Sequence, residues 1–297
     1  MSLIEVWAAL EIGLIYALVA LAVFISFRVL DFPDLTADGS FPLGGAIAAT
    51  LLVGGMSPWL ATGCAILGGM FAGLFTAWLN LKWKILNLLA SILTMTALYS
   101  INLRIMGRPN VALLDEETIF TPFEALTGSH LYGILLLGGL VILTVGFLFW
   151  RFMISDTGLA LRATGSNPRM ALAQGISIKR TTYLGMGLSN GLIALAGALF
   201  AQSQGFADIT TGVGTIIFGL AAVIIGEVLI PSRWMSLIIL GCILGSIVYR
   251  LAVGFALNAG AIGLQTSDLN LVTATLVALA MILPRIRQSS PLSSGRK

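Results

Sequence analysis

The 297-residue chain is 58% hydrophobic and 10% charged, with a mean hydropathy of +0.99 and a formal net charge of +3. A water-soluble domain of this length is about one quarter charged, so the composition excludes a soluble globular enzyme and assigns the chain to a lipid bilayer. Lys and Arg gather at particular turns, so the small positive excess describes membrane topology and offers no basic face to a nucleic acid.

In chain order, the N-terminal MSLIEVWAAL has neither a basic n-region nor a small-residue cleavage site behind a short apolar core, and reads as a retained first span. Apolar runs lie at Trp7 to Phe27, Leu43 to Met56, Trp59 to Leu79, Ile85 to Ile101, Leu131 to Phe152, Tyr183 to Phe200, Ile216 to Leu229, Met235 to Val253 and Leu271 to Leu283. Some are shorter than the ~20 residues a full crossing needs. Lipid-exposed backbone must satisfy its own hydrogen bonds, and the strict alternation of a membrane barrel is absent. The expectation is an all-α polytopic membrane protein of about 8–9 transmembrane helices, one domain over 1–297, with no extramembrane stretch large enough for a second. Cys64 and Cys242 both sit inside apolar runs and read as small packing residues.

The first break in the apolar pattern is LDFPDLTADGSFPLGG, Leu30 to Gly45, which sets Asp31, Asp34 and Asp38 among prolines and glycines. Proline denies the backbone a donor and glycine permits turns, and Asp38 or Ser40 is placed to cap the short helix that follows. Next come Lys82 and Lys84 after the third run, then the acidic stretch Leu113 to Leu126 with Asp115, Glu116, Glu117 and Glu124 and no base. By the bias of Lys and Arg to the inner side, the first turn is cytoplasmic and the acidic loop faces outward. Arg162, Arg169, Lys179 and Arg180, and the tail with Arg285, Arg287, Arg296 and Lys297, are cytoplasmic too. The alternation then puts the N-terminus outside and the C-terminus inside.

The second break is FADITTGVGTIIFGLAAVIIGE, Phe206 to Glu227. Asp34-Leu35-Thr36 aligns with Asp208-Ile209-Thr210, each leading through Gly-rich sequence to a short apolar helix, and the topology gives those helices opposite directions. Two readings fit: an internal inverted repeat with discontinuous or re-entrant helices around a central path, or two ordinary interfacial turns that reuse Gly, Thr and Ala.

Between the runs ending at Phe152 and starting at Tyr183 lies RATGSNPRMALAQGI, Arg162 to Ile176. Asn167 before Pro168 makes an N-cap pair and Gly175 a stop, giving a short helix at the cytoplasmic surface. Such a helix suits either a groove on a partner protein, with Arg162 and Arg169 supplying charge-assisted bonds, or a rest on anionic headgroups. Elsewhere, Glu11 and Glu227 are carboxylates in or at the end of apolar runs, Glu11 close enough to the outer surface to stay wet. Asp31, Asp34 and Asp208 lack the Gly-x-Gly-Asp setting of an intramembrane aspartyl protease. His130 is a single histidine without the companions a metal needs. Ser189 and Asn190, beside Gly185, Gly187 and Gly191, suit interhelical bonding, with a path-lining role for Asn190 as the alternative.

The run Gly158, Leu161, Arg162, Ala163, Gly165, Asn167, Ala171, Gly175 and Ile176 resembles the cytoplasmic coupling segment of ATP-binding-cassette importer permeases of the branched-chain amino acid and simple sugar class. FRVLDFPDLTADGSFPLGGA and GTIIFGLAAVIIGE are similar, more narrowly, to the tryptophan/tyrosine uptake permeases, and the resemblance covers essentially the whole chain. It implies a bacterial inner-membrane permease subunit for a small solute such as tryptophan or tyrosine, working as a homodimer with a separate ATPase and an extracytoplasmic solute-binding protein. It also implies a coupling segment over 155–180, with Arg162, Gly165, Asn167, Pro168, Arg169, Ala171 and Gly175 at the ATPase. Candidates for the path are Asp34, Thr36, Asp38, Ser40, Asn190, Asp208 and Thr210. The chain has no G-x-x-x-x-G-K-[ST] phosphate loop, so ATP is expected on the partner and no cofactor or metal on this chain. An ion-coupled secondary transporter is the alternative.

Overall fold

The computed structural model describes residues 3–114, 116–128 and 130–258, together with 274, 275 and 278. Leu3–Val23 forms α1, which continues as a π-helix over Phe24–Val29; Ala37–Val53 forms α2, Pro58–Trp83 α3 and Asn87–Met106 α4. After strand β1 (Asn110–Ala112) come the short α5 (Thr121–Thr127), the long α6 (His130–Ile154), α7 (Asp156–Ser166) and α8 (Pro168–Ala173). The chain then runs through α9 (Ile178–Gln204), strand β2 (Phe206–Asp208), a 3-10 turn at Ile209–Gly212, α10 (Thr215–Leu229) and α11 (Met235–Asn258).

Eight of the nine apolar runs become helices. Among the described residues, seven stretches are long and apolar enough to cross a membrane, whereas α2 is an apolar helix of 17 residues. The last run, Leu271 to Leu283, lies outside the described residues apart from 274, 275 and 278. The two strands pair antiparallel, with Asn110 opposite Asp208 and Ala112 opposite Phe206. This ribbon is the one departure from all-helical structure among the described residues, and it satisfies backbone groups of the two connections that meet at that end of the bundle.

The central pair is α1 and α9, each 72% buried over its apolar window, against 28% for α4. They run antiparallel: the Ser189 hydroxyl donates to the Ala22 carbonyl at 2.9 Å, and Tyr16 stands edge-on to Phe200. Ser40 reaches Asn190, and Gly45 packs against Ala201, so α2 runs alongside α9 in the same direction, starting at its middle. Tyr16 meets Phe218, Gly219 packs on Val19 and Val23, and Glu227 joins Arg28, so α10 runs with α1 and also starts beside its middle. The two short helices therefore point in opposite directions from one central level.

Small residues make this possible, because without a hydrophobic drive between helices in lipid, close backbone approach supplies the dispersion contact. At Gly197 an added Cβ would fall inside the carbonyl of Phe41, and at Gly44 inside that of Ala194, so α2 and α9 touch backbone to backbone. Overpacking a filled interface costs ~1–3 kcal/mol or more. Gly197→Val is therefore expected to unfold at a clearly lower temperature than the parent or to fail to assemble. Gly63→Val, with nothing within 4 Å of the added carbon, should be neutral. Thermal unfolding of both purified variants in one detergent, read by size-exclusion chromatography, checks the contrast.

Candidate translocation path and coupling segment

The chain leaves α1 by widening its turn. The Leu30 amide donates to the Ile25 carbonyl at 2.9 Å and the Phe32 amide to the Ser26 carbonyl at 2.8 Å, rings larger than an α-helix makes. Asp31 takes a left-handed φ of 53°, Pro33 withholds a donor, and residues 30–36 fold back against the middle of α9. There the Asp34 carboxylate accepts from the Thr36 amide at 2.9 Å and from Asn190 Nδ2 at 2.7 Å. The Ser40 hydroxyl donates to Asn190 Oδ1 at 2.7 Å, while Thr36 Oγ1 lies 2.8 Å from Thr76 Oγ1, which donates to Thr94 Oγ1 at 2.9 Å. Asp34, Thr36, Ser40 and Asn190 are at most 1% exposed, so they form a dry fastening across the 30–36 segment, α2, α3, α4 and α9. A buried carboxylate persists in such surroundings because its lone pairs are occupied.

The second break repeats the first turn. Asp208 accepts from the amide of Thr210 at 2.7 Å, as Asp34 does from that of Thr36, and from Asn110 Nδ2 at 3.1 Å. Burial alone would raise the Asp208 carboxyl, but the Thr210 hydroxyl and amide and the Asn110 side chain hold it below the usual carboxylate range. Asp208 and Thr210 thus sit at the strand end of the bundle, away from the Asp34 fastening.

Asp38 and Ser40 do not cap α2. Thr36 occupies the N-cap without a side-chain bond, and the first-turn amides are already met by chain carbonyls: Asp38 by Leu35, Gly39 and Ser40 by Thr36. The Asp38 carboxylate reaches instead across the central level and accepts from the amides of Gly214 at 3.1 Å and Ile216 at 2.9 Å, at the start of α10. Gly214 holds φ +85° as the N-cap of α10, a left-handed conformation that favours glycine. One side chain of the first short helix therefore caps the second.

At the opposite end of the bundle from the strands, the coupling segment forms a helical hairpin. Asn167 Oδ1 accepts from the Met170 amide at 3.1 Å, Pro168 takes the first position of α8, and Gly175 turns at φ +80° just beyond it. Gly165 and Ser166 belong to α7, so Asn167 alone separates the two helices. Gly165 packs directly on the Val29 carbonyl, the last residue of the π-helix, leaving no room for a Cβ. Arg162 extends into a cleft of about 760 Å³ that Arg28, Glu227 and Arg233 also line, and its Nε is buried without a hydrogen-bond partner among the described residues. Arg169, Met170 and Leu172 are exposed while Ala171 is buried.

Glu227 and Glu11, the carboxylates in or at the end of apolar runs, are both engaged. Glu227 pairs bidentately with Arg28, at 2.6 and 2.7 Å. Glu11 is 8% exposed and accepts from Gln204 Nε2 of α9 at 3.3 Å. Asp31, Asp34 and Asp208 are not assembled into one site. His130 opens α6, and no cluster of potential metal ligands occurs among the described residues. Sequence reasoning passed over Arg28 and Arg250. For Arg250 the signal was present: it is the one charged residue in the whole of α11.

Residues 7–284 match the family model described as branched-chain amino acid transport system / permease component. The tyrosine transport system permease protein of Clostridioides difficile (strain R20291) is 40% identical over 265 residues, covering 89% of this chain and 86% of that one. The uncharacterized protein RP368 of Rickettsia prowazekii (strain Madrid E) is 32% identical over 92% of this chain and 95% of its own. The autoinducer 2 import system permease protein LsrC of Escherichia coli (strain K12 / DH10B) is 29% identical over 71% of this chain and 55% of its own. Among solved structures, a chain of PsaBC from Streptococcus pneumoniae in complex with Fab shares the fold, with a TM-score of 0.51 at 16% identity over 93% of this chain and 89% of that one. The chain belongs to the branched-chain amino acid transport permease family: it is the membrane-spanning subunit of an ATP-binding-cassette importer, with ATP hydrolysis on a separate partner.

Proposed function

We propose that this permease carries an amino acid, tyrosine or a close aromatic relative, across the bacterial inner membrane by alternating access. The 40% identical tyrosine transport permease supports that cargo. The end bearing α7 and α8 is the cytoplasmic one, since Arg162, Arg169, Lys179 and Arg180 face a single acid, Asp156. The N-terminus then lies outside and the tail inside. The whole of 1–297 acts as one permease domain, two copies pair with two ATPases, and an outside binding protein delivers cargo to the face that carries the acidic loop from Asp115 to Glu124.

The observation that carries this reading is the α7–α8 hairpin. It presents Arg169, Met170 and Leu172 outward on a helix capped by Asn167 and stopped at Gly175, while its base stands on the Val29 backbone through Gly165. A rigid knob with a backbone-to-backbone foot suits the transfer of ATPase motion into α1, whereas a loop resting on headgroups needs neither. Residues 155–180, and within them Arg162, Gly165, Asn167, Pro168, Arg169, Ala171 and Gly175, form the coupling surface. Of the path candidates, Asp34, Thr36, Ser40 and Asn190 hold the closed arrangement, Asp38 joins the two short helices, and Asp208 and Thr210 shape the outer mouth.

Arg169→Glu and Gly165→Glu should abolish ATPase docking and uptake while leaving membrane insertion intact. Co-purification of the ATPase with each variant reads this out, and normal docking by both would refute the coupling role. Asp34→Ala should keep docking but lose uptake and about 3 kcal/mol of stability, since it strands the Asn190 amide and the Thr36 N–H in a dry interior. Uptake in proteoliposomes together with denaturation of the purified subunit measures both effects.

A further inference from the structure

We propose that Arg250, Asp38 and the aromatic side chains around Tyr16 form a station for a zwitterionic aromatic amino acid inside the bundle, with Arg250 taking the carboxylate and Asp38 the ammonium group. The assignment rests on the amino acid permease reading above and deepens it by naming the residues that hold the cargo.

A guanidinium within a membrane span is costly and marks a functional site when it faces the protein interior. Arg250 faces inward: its Cβ lies 3.6 Å from where a Cβ on Gly13 of α1 would stand. Side chains on a helix lean toward its N-terminus, which directs Arg250 away from the nearby end of α11 at Asn258 and toward the central level. Among the described residues no hydrogen bond or ion pair occupies the guanidinium. A planar fork of donors left open in this way matches a carboxylate bidentately.

The remaining parts of the ligand find partners close by. Tyr16 stands about one helical turn along α1 from Gly13, where Arg250 packs, and stacks on Phe41, about one turn along α2 from Asp38. Its ring centre is 5.1 Å from Phe218, 5.5 Å from Phe41 and 6.1 Å from Phe200, and Phe218 is 5.5 Å from Tyr249. Tyr16, Asp38, Phe200, Phe218 and Arg250 are each partly exposed although they pack among buried neighbours. Asp38 already accepts two amides from the start of α10; an ionised carboxylate has further lone pairs for an ammonium group. One cation, one anion and several ring faces in that order select an aromatic α-amino acid over a sugar, which lacks both charges, or an amine, which Arg250 repels.

The test uses the permease–ATPase complex in detergent and, with its binding protein, in proteoliposomes. L-Tyrosine should raise the melting temperature of the detergent complex, whereas tyramine, without the carboxylate, and 3-(4-hydroxyphenyl)propionate, without the ammonium group, should not. Arg250→Gln should lose that shift and at least about tenfold in tyrosine uptake, with ATPase docking retained; Arg250→Lys, which keeps the charge but not the fork, should recover part of both. If Arg250→Gln misfolds, a smaller tyrosine shift in Arg250→Lys than in the parent supports the station and an equal shift overturns it. Parental uptake and shift in Arg250→Gln would overturn the station while leaving the permease reading standing. A wild-type complex that moves no amino acid would overturn the permease reading itself.

Discussion

The two hydrogen bonds that the Gly214 and Ile216 amides donate to the Asp38 carboxylate are the constraint on which the arrangement of this permease depends. A helix that begins in the middle of a membrane protein exposes its first amides where no bulk water meets them, and each unmet donor there costs several kcal/mol. Here α2 begins with its own donors satisfied by carbonyls of the returning chain, which releases Asp38 to serve α10. The two half-length helices are thereby tied start to start, each running toward a different end of the bundle. Neither can move along its axis without breaking a charge-assisted bond.

Around that joint the two breaks are built alike but finished differently. Asp34 and Asp208 both accept from the amide two residues on, yet Asp34 is locked by Asn190 in a dry interior while Asp208 meets Asn110 at the strand end. A matched local turn in two different environments is what an inverted pair of segments produces when one copy folds against the central helix and the other against the rim. The dry network around Asp34 rigidifies four helices at once, since partial satisfaction of such a network is worse than none. The π-helix at Phe24–Val29 belongs to the same design: it lies between the Gly165 contact on one side and the Asp34 turn on the other.

This geometry gives the proposed coupling route physical content. Motion delivered to α8 would pass through α7 to Val29 at the Gly165 backbone contact, with no compressible side chain between, and the next few residues lead to Asp34 and then to Asp38. Cargo held between Arg250 and Asp38 would sense the same joint. Binding and ATPase motion would then act on one two-helix junction from opposite sides, which is how two distant sites come to share an equilibrium.

Much of this was legible in the sequence. Composition and run length dictated a polytopic helical bundle, because apolar side chains and internally bonded backbone are the stable solution in lipid. The Asn167-Pro168 start and the Gly175 stop of α8 were readable because capping is a matter of adjacent residues. The aligned Asp-x-Thr turns were readable for the same reason: Asp34 and Asp208 each bond within two positions of themselves. What the tertiary structure alone decided is every partner far along the chain. Asp38 caps a helix that begins beyond position 200, Arg28 pairs with Glu227, Glu11 accepts from Gln204, and Arg250 packs against Gly13. Local pattern specifies which residues need a partner, but distance through folded space specifies which partner they receive, and that is set only when small residues let α2 meet α9 and α10 meet α11 backbone to backbone.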